Sequence, residues 1–149
     1  MSQRATWIFQ ANPNIYNIYT SLAVEAEEFW NCNQHYAEIK AGDRALIWIS
    51  GKKSGVYALG VVLTDPVMRP DSAKGQRYWT DPQDGIKERP RVKVKYEQVF
   101  LDKPLYRDFL QCDPDLWNLS ILAYSQGTNF PVKEEEWQTL EGWLDEATG

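Results

Sequence analysis

The sequence predicts an α+β protein built as a small mixed β-barrel flanked by helices. Three observations lead to this prediction: strand-like segments alternate with short helical segments, a central hairpin is apolar on both faces, and the chain ends in an amphipathic helix. With 149 residues, of which 43% are hydrophobic, the chain has the length and composition of one globular domain. We therefore expect a single domain over residues 1–149.

The first elements are predicted to be a strand and a helix. Residues 6–10 (TWIFQ) form an apolar, strand-favouring run that ends before Pro13. An amphipathic helix, with Asn14 as its N-cap, is predicted next from the i, i+3, i+4, i+7 spacing of Ile15, Ile18, Tyr19 and Leu22. A polar loop is expected to begin after Phe29 and Trp30.

The central segments predict a buried hairpin. Residues 44–50 (RALIWIS) and 56–63 (VYALGVVL) flank a loop of turn residues at 51–55. Because both runs are almost continuously apolar, we expect burial on both faces. Trp48 in the hairpin and Trp7 in the first strand are therefore expected in the core.

The second half combines an irregular stretch with short regular elements. Residues 65–90 contain four prolines and no periodicity, which predicts a long loop that is either functional or partly disordered. Residues 91–100 alternate as a strand with a basic outer face. Short helical turns are predicted at 105–110 and 116–122, and an amphipathic helix at 133–147 is expected to pack its tryptophans against the barrel.

Charge and rare residue types argue against several function classes. The net charge of −5 disfavours attachment to nucleic acid through bulk charge, although eight of the 16 Lys and Arg lie within residues 69–95. One His and two cysteines, Cys32 and Cys112, leave no zinc set, no disulfide scaffold and little of the acid–base repertoire of enzymes. We predict a protein with no metal, no cofactor and no catalytic residues.

Membrane association and secretion are not expected. No apolar run approaches the ~20 residues that span a bilayer, and the first residues lack the basic-then-apolar order of a signal peptide. Free thiols agree with a cytoplasmic location.

Aromatic residues are abundant for so short a chain. The seven tryptophans exceed what a small core accommodates easily, because a buried indole N–H needs a hydrogen-bond partner. Some of these rings are therefore expected to face a pocket.

Three segments resemble the EVE domain family. They are TWIFQANP near the start, AGDRALIWISGKKSGVYALGVV in the middle and QGTNFPVKEEEW near the end, and the likeness extends from Trp7 to about Trp143. EVE domains belong to the PUA-like superfamily of small β-barrels flanked by helices. Lys133 departs from the family pattern, in which Thr or Ser caps the last helix.

The resemblance implies a non-catalytic module that binds nucleic acid through a modified base. EVE domains are similar to YTH domains, which hold a methylated adenine in an aromatic cage, and they are associated with modified cytosines in DNA. The implied partner is nucleic acid, DNA rather than RNA, with a modified cytosine or methylated adenine flipped into an aromatic pocket. Some EVE domains are fused to restriction-type nucleases, so a restriction or modification protein is a further implied partner.

The resemblance and the predicted loops together nominate the pocket. Trp30 and Trp79 would be its aromatic walls, although Trp30 is equally explained as a core partner of Phe29, and Tyr78 competes with Trp79. The expected pocket residues are Asn12, Trp30, Asn31, Ser50, Gly51 and Trp79, with Tyr16, Gln126 and Thr128 at the rim.

The polar residues of this set have ordinary alternatives. The amide of Asn12 can both donate to and accept from a base edge, Asn31 offers backbone groups, and Gly51 allows close approach beside Ser50. Asn12, Ser50 and Gly51 are also explained as turn residues, and the polar turn at 126–129 as a cap of the last helix.

Basic residues in two segments are candidates for phosphate contacts. A basic run is also explained as a solvated face, and that alternative is expected to hold for about half of them. The candidates are Lys52, Lys53, Arg77, Lys87, Arg89, Arg91, Lys93 and Lys95.

Two other function classes stay open at this point. One is a small enzyme or binding protein for a nucleotide-like ligand in the same pocket, which the lone His and the lack of a nucleophile–base pattern disfavour. The other is a protein-interaction module that uses exposed tryptophans.

Overall fold

The computed structural model describes residues 4–148. Within this range, eight strands belong to one sheet: β1 (Thr6–Ala11), β2 (Glu27–Asn31), β3 (Arg44–Ile49), β4 (Gly55–Val62), β5 (Val67–Arg69), β6 (Arg89–Val99), β7 (Leu105–Tyr106) and β8 (Asn129–Val132). The α-helices of the same range are α1 (Ile18–Val24), α2 (Ala73–Gln76), α3 (Pro82–Ile86), α4 (Arg107–Gln111), α5 (Ser120–Ala123) and α6 (Glu134–Thr148), and a 3-10 helix spans Pro114–Leu116.

The sheet curls so that its two ends approach each other. Its strand order is β2-β6-β4-β3-β1-β8, with β5 added to β6 and β7 to β4, and β1 and β3 pair in parallel while the other pairs are antiparallel. Asn129 of β8 donates from Nδ2 to the carbonyl of Asn31 in β2 at 2.9 Å. This contact joins the two ends, and the predicted α+β fold, a small mixed barrel flanked by helices, is confirmed.

The hairpin is apolar on both faces because it separates two cores. Ile47 and Ile49 of β3 pack in one core with Phe9, whereas Leu46 and Trp48 pack in the other. α6 covers the second core with its buried face. The predicted burial of Trp48 and Trp7 is confirmed, since the two side chains are 1% and 6% exposed.

The segment between β1 and α1 differs from the prediction. α1 begins at Ile18 rather than near residue 15, and Asn14 is not its N-cap. The N–H of Asn14 instead donates to Oδ1 of Asn12 at 2.9 Å, and the N–H groups of Ile15 and Tyr16 donate to the Asn12 carbonyl. A tight turn at residues 12–16 thus replaces the predicted first turn of the helix, and it determines where these side chains lie.

The polar loop predicted after Trp30 is preceded by an unpredicted strand, β2. Its sequence EEFWN is short and begins with two acids, a composition that rarely forms strands. Pairing with the basic strand β6 compensates for this, because Glu27 lies opposite Lys95 and forms a salt bridge of 3.2 Å with Lys93. Because side chains alternate along a strand, Glu28 and Trp30 lie on one face of the sheet.

The stretch at 65–90, predicted to be a long loop, has regular structure. It contains β5, α2 and α3, which cover the outer face of β2 and β6. The helical turns predicted at 105–110 and 116–122 correspond to β7, α4, the 3-10 helix and α5.

At the start of α6 the N–H of Lys133 donates to the Glu136 carboxylate at 2.9 Å. Among residues 4–148, no helix is long and apolar enough to cross a membrane.

Candidate functional site

A cavity of about 270 Å³ opens between the end of β1, strand β2 and the turn at residues 12–16. It is slightly smaller than the roughly 300–1,000 Å³ of typical small-molecule pockets, which suits a ligand of the size of one base. Six residues nominated from the sequence line it: Asn12, Tyr16, Trp30, Asn31, Trp79 and Thr128.

Eight further residues line the cavity although the sequence does not nominate them for the pocket. Among them, Arg89 is predicted only as a phosphate contact. Glu28 could have been nominated if β2 had been predicted as a strand, because side chains two residues apart in a strand lie on one face and Glu28 then shares a face with Trp30. The eight are Gln10, Ala11, Ile15, Glu28, Phe29, Asn33, Asp84 and Arg89.

Trp30 belongs both to the core and to the cavity wall. Its side chain is 7% exposed, and its ring lies edge-on to Phe9 with centroids 6.1 Å apart. Its indole Nε1–H donates to the hydroxyl of Tyr96 at 2.9 Å. Trp30 is therefore both a core residue and a cavity wall. Its core partner is Phe9 and not Phe29 as predicted, because alternation along β2 puts Phe29 on the opposite face.

Trp79 comes to the cavity from the segment between α2 and α3. Its ring packs edge-to-face against Tyr16 at 4.8 Å, and its Nε1–H donates to the buried carboxylate of Asp71 at 2.8 Å. A Cβ on Gly85 would lie 2.8 Å from its Cδ1 atom, so the glycine leaves room for the ring. Tyr78, the competing candidate, is not among the cavity-lining residues, and its hydroxyl donates to Glu25.

A buried carboxylate is among the groups that line the cavity. Glu28 is 5% exposed and accepts hydrogen bonds from the hydroxyls of Tyr16, at 3.0 Å, and Tyr96. Burial raises the pKa of Glu28 above its ordinary value, and hydrogen bonds from Tyr96, Ser21 and Tyr16 counteract only part of that shift. Since Tyr96 also binds Trp30 and Tyr16 packs on Trp79, Glu28 connects both aromatic walls.

The structure contradicts the assignment of Arg91 to phosphate contacts. Arg91 is 0% exposed, because the residue lies under the segment that carries β5 and α3. Its guanidinium donates to Oδ1 of Asn31 at 2.6 Å and to the backbone carbonyls of Arg69, Asp84 and Lys87 at 3.0–3.2 Å. Arg91 therefore holds this segment against β2 and is not available to a phosphate.

Three of the nominated residues lie outside the cavity lining. The N–H of Ser50 donates to the carbonyl of Ala11 and joins the ends of β3 and β1. Gly51 is exposed with a φ of 112°, a backbone conformation that favours glycine in a turn. Gln126 is exposed and accepts from the Tyr124 hydroxyl at 3.2 Å. These contacts account for Ser50 and Gly51 as turn residues.

The polar rim is held together by side-chain hydrogen bonds across the barrel opening. Gln10 donates to the carbonyl of Gly127 at 2.7 Å, and Asn33 donates to the Thr128 hydroxyl at 3.0 Å. Gln34 accepts from the N–H of Thr128 at 2.7 Å. The turn at 125–128 thus forms part of the rim rather than a cap of α6.

The remaining basic candidates differ in their distance from the cavity. Arg89 is half-buried and lines it, whereas Lys93 is half-exposed and paired with Glu27. The exposed candidates are Lys52, Lys53, Arg77, Lys87 and Lys95.

The sequence was compared with models of known protein families. The family model described as EVE domain matches residues 5–143. The chain belongs to the EVE domain family. No curated protein matches the sequence significantly.

Several solved structures are similar to this EVE domain. A hypothetical protein from Leishmania major is 17% identical, with a TM-score of 0.71 over 99% of this chain and 98% of that one. Rpa0253 from Rhodopseudomonas palustris is 21% identical, with a TM-score of 0.65 over 91% and 89%. Human THYN1, solved in complex with DNA that contains 5-methylcytosine, is 14% identical, with a TM-score of 0.65 over 91% and 95%. At these identities the likeness shows a shared fold.

The ionisable groups at the cavity of this EVE domain are few. Within residues 4–148, no group of three or more His, Cys, Asp or Glu is arranged to hold a metal ion. The described residues that line the cavity include no His, Cys, Ser or Lys. The cavity therefore offers aromatic faces, amides, carboxylates and the Arg89 guanidinium, which suit the binding of a flat polar ring.

Proposed function

We propose that this EVE domain is a binding module, not an enzyme, that accepts one modified base of a nucleic acid in the cavity. The observation that carries the proposal is the pair of indoles, Trp30 and Trp79, that line one small cavity from distant segments. Stacking on an aromatic side chain contributes about 1–3 kcal/mol per base. Extrusion of a base from a duplex costs a few kcal/mol, so contacts with both indoles would offset it.

The walls are held in place before any ligand arrives. The indole N–H groups of Trp30 and Trp79 bind Tyr96 and Asp71, so neither ring is free to rotate away from the cavity. A site that is already ordered loses little side-chain entropy on binding, which favours affinity. This arrangement supports a role in ligand binding for both rings.

We propose DNA, rather than RNA, as the carrier, and a modified cytosine or a methylated adenine as the base. Human THYN1, which shares the fold, was solved with DNA that contains 5-methylcytosine. Arg89 at the cavity and the exposed residues Arg77 and Lys87 in the adjoining segment supply positive charge for the phosphates beside an extruded base.

The test compares duplexes that differ by one methyl group. A duplex with a central 5-methylcytosine should bind several-fold more tightly than the same duplex with cytosine, because an added methyl group in a close-fitting pocket contributes on the order of 1 kcal/mol. Trp79→Ala should weaken binding by about 1–3 kcal/mol. Trp117→Ala is the matched control, since Trp117 is 76% exposed and does not line the cavity.

Two results would contradict the proposal. One is equal affinity for modified and unmodified forms of both cytosine and adenine. The other is a loss of binding in Trp117→Ala that equals the loss in Trp79→Ala, since that would place the nucleic-acid contact outside the cavity.

A further inference from the structure

Glu28 is a buried carboxyl group that an aromatic cage by itself does not need. The carboxylate is 5% exposed and lines the cavity. Within residues 4–148 it forms no salt bridge, and the groups that act on it are neutral hydroxyls: Tyr16 and Tyr96 donate hydrogen bonds to it, and Ser21 lowers its pKa. A buried carboxylate without a cation lowers the stability of the folded state. A ligand that donates hydrogen bonds to Glu28 would offset part of that cost.

The carboxylate retains capacity for such a ligand. An ionised carboxylate accepts at about four lone-pair sites and donates nothing. Tyr16 and Tyr96 each occupy one of these sites, on different oxygens, and the Ser21 hydroxyl acts on the same carboxylate. Of about four sites at least one remains, which can accept an N–H group from a base edge and would repel a carbonyl oxygen placed there.

Asn31 supplies the opposite polarity at the same cavity. Because a guanidinium can only donate, the hydrogen bond from Arg91 at 2.6 Å fixes Oδ1 of Asn31 toward Arg91 and leaves Nδ2 on the other side. Within residues 4–148, Nδ2 makes no hydrogen bond, and no buried side-chain nitrogen there lacks one, so Nδ2 is accessible. Asn31 therefore presents a donor at the cavity that the acceptor Glu28 also lines.

We propose that Glu28 and Asn31 select a base that carries an exocyclic amine and reject thymine and uracil. This inference rests on the proposed function of the cavity. In cytosine and adenine, the amine can donate to Glu28 while the neighbouring ring nitrogen accepts from Asn31. In thymine and uracil a carbonyl replaces the amine, and its oxygen would face the carboxylate. A site built around such hydrogen bonds strongly rejects an analogue that leaves them unmade.

The proposal is compatible with both a modified cytosine and a methylated adenine. A methyl group on the ring carbon of cytosine leaves the amine intact, and a single methyl group on the adenine amine leaves one N–H. Selection for the amine and preference for the methyl group are therefore separate properties of the cavity, and each can be lost without the other.

The experiment compares 5-methylcytosine with thymine, since both pyrimidines carry the same methyl group and differ at the base-pairing edge. Each is placed opposite an abasic site in the same duplex, so that extrusion breaks no base pair in either probe. We expect the wild-type protein to bind the 5-methylcytosine probe at least about tenfold more tightly. Glu28→Gln, whose amide also donates, should reduce this ratio to less than about threefold.

The matched control is Glu27→Gln, one residue earlier in β2. Glu27 is exposed, pairs with Lys93 and does not line the cavity, so its variant should keep the wild-type ratio. Asn31→Ala provides a second variant, and it should lower affinity for 5-methylcytosine more than for thymine. Thermal melting of each variant establishes that it is folded.

The outcomes separate the inference from the proposed function. Equal binding of 5-methylcytosine and thymine, together with preference for 5-methylcytosine over cytosine, would overturn the inference and leave the proposed function standing. An unchanged ratio in Glu28→Gln would also overturn it. Binding of neither probe above a fully paired, unmodified duplex would overturn both.

Discussion

Trp79 stands edge-on to Tyr16, with ring centroids 4.8 Å apart and an interplanar angle of 73°. The backbones of these two residues also form an isolated antiparallel β-bridge. This pair joins the segment after α2 to the turn after β1, which are distant in the sequence. One wall of the cavity therefore depends on a tertiary contact between two non-repetitive segments.

The position of Trp79 can be perturbed without changing the ring itself. In Gly85→Ala the new Cβ would lie 2.8 Å from Cδ1 of Trp79, so the rigid indole must move. We expect Gly85→Ala to weaken binding of a 5-methylcytosine duplex by about 1–3 kcal/mol, measured by fluorescence anisotropy. Gly142→Ala is the control: it adds a methyl group in open space on α6 and should leave affinity unchanged while stabilising the fold by about 0.5–1 kcal/mol. Wild-type affinity in Gly85→Ala would show that the position of Trp79 does not matter for binding.

Arg91 is expected to act on stability, not on phosphate binding. Arg91→Lys keeps the positive charge but cannot reproduce the planar fork that binds Asn31 and three carbonyls. Several buried acceptors would be left unpaired, so we expect the free energy of unfolding to fall by more than about 2 kcal/mol. Chemical denaturation measures this, with Arg77→Lys at an exposed position as the control. A loss below about 0.5 kcal/mol would contradict the structural role of Arg91.

The buried carboxylates predict a specific pH dependence of stability. Burial raises the pKa of Glu28 above its ordinary value of 4.5, hydrogen bonds from Tyr96, Ser21 and Tyr16 oppose this shift, and the negative charge of Asp71 adds to it. A raised pKa means that the folded state binds the proton more readily, so this contribution to stability is complete below about pH 4.5 and is lost as pH rises through the raised pKa.

The variant Glu28→Gln removes this titration. When the pH is raised from about 5 to about 8, we expect the melting temperature of the wild type to fall more, or to rise less, than that of Glu28→Gln. Asp71, whose pKa is also raised by burial, remains in both proteins, so the difference between them reports the titration of Glu28 together with its coupling to Asp71. Glu27→Gln, at a neighbouring exposed position, should follow the wild type. The same pH dependence in Glu28→Gln and the wild type would show that Glu28 does not titrate differently on folding.

Salt should weaken binding through a small number of phosphate contacts. For duplex DNA, log affinity falls against log salt with a slope near −0.9 for each contact. Arg89→Gln should reduce the magnitude of the slope by about one contact, because Arg89 is the half-buried basic residue that lines the cavity. Lys133→Gln, next to the acidic start of α6, should leave the slope unchanged. Salt-independent affinity would argue against contacts with phosphates.

The fold was predictable where periodicity is strong and much less where tertiary contacts decide. The hairpin of β3 and β4 and the amphipathic helix α6 have unambiguous patterns over six or more residues. β2, by contrast, has only five residues and begins with two glutamates, so its pattern does not predict a strand. It forms because β6 supplies basic partners across the sheet. α1 begins later than its spacing predicts because the Asn12 turn binds the preceding N–H groups.

The site was predictable to the extent that the family resemblance located it. Trp30 and Trp79 could be nominated from that resemblance, and both line the cavity. Glu28 was missed because an acid in a short, unrecognised strand resembles any exposed acid. The prediction for Arg91 was wrong, since alternation along β6 puts it on the outer face but cannot reveal that another segment covers that face.

The central claim, that a base enters the cavity against Trp30 and Trp79, is tested most directly by the indole N–H signals in a ¹⁵N–¹H NMR spectrum. A bound base shifts the signals of rings that it stacks on, and Trp→Phe variants assign the signals. On addition of a duplex with one 5-methylcytosine, we predict large shifts for Trp30 and Trp79 and none for the exposed Trp117. Saturable binding that shifts Trp117 and leaves Trp30 and Trp79 unchanged would contradict the account.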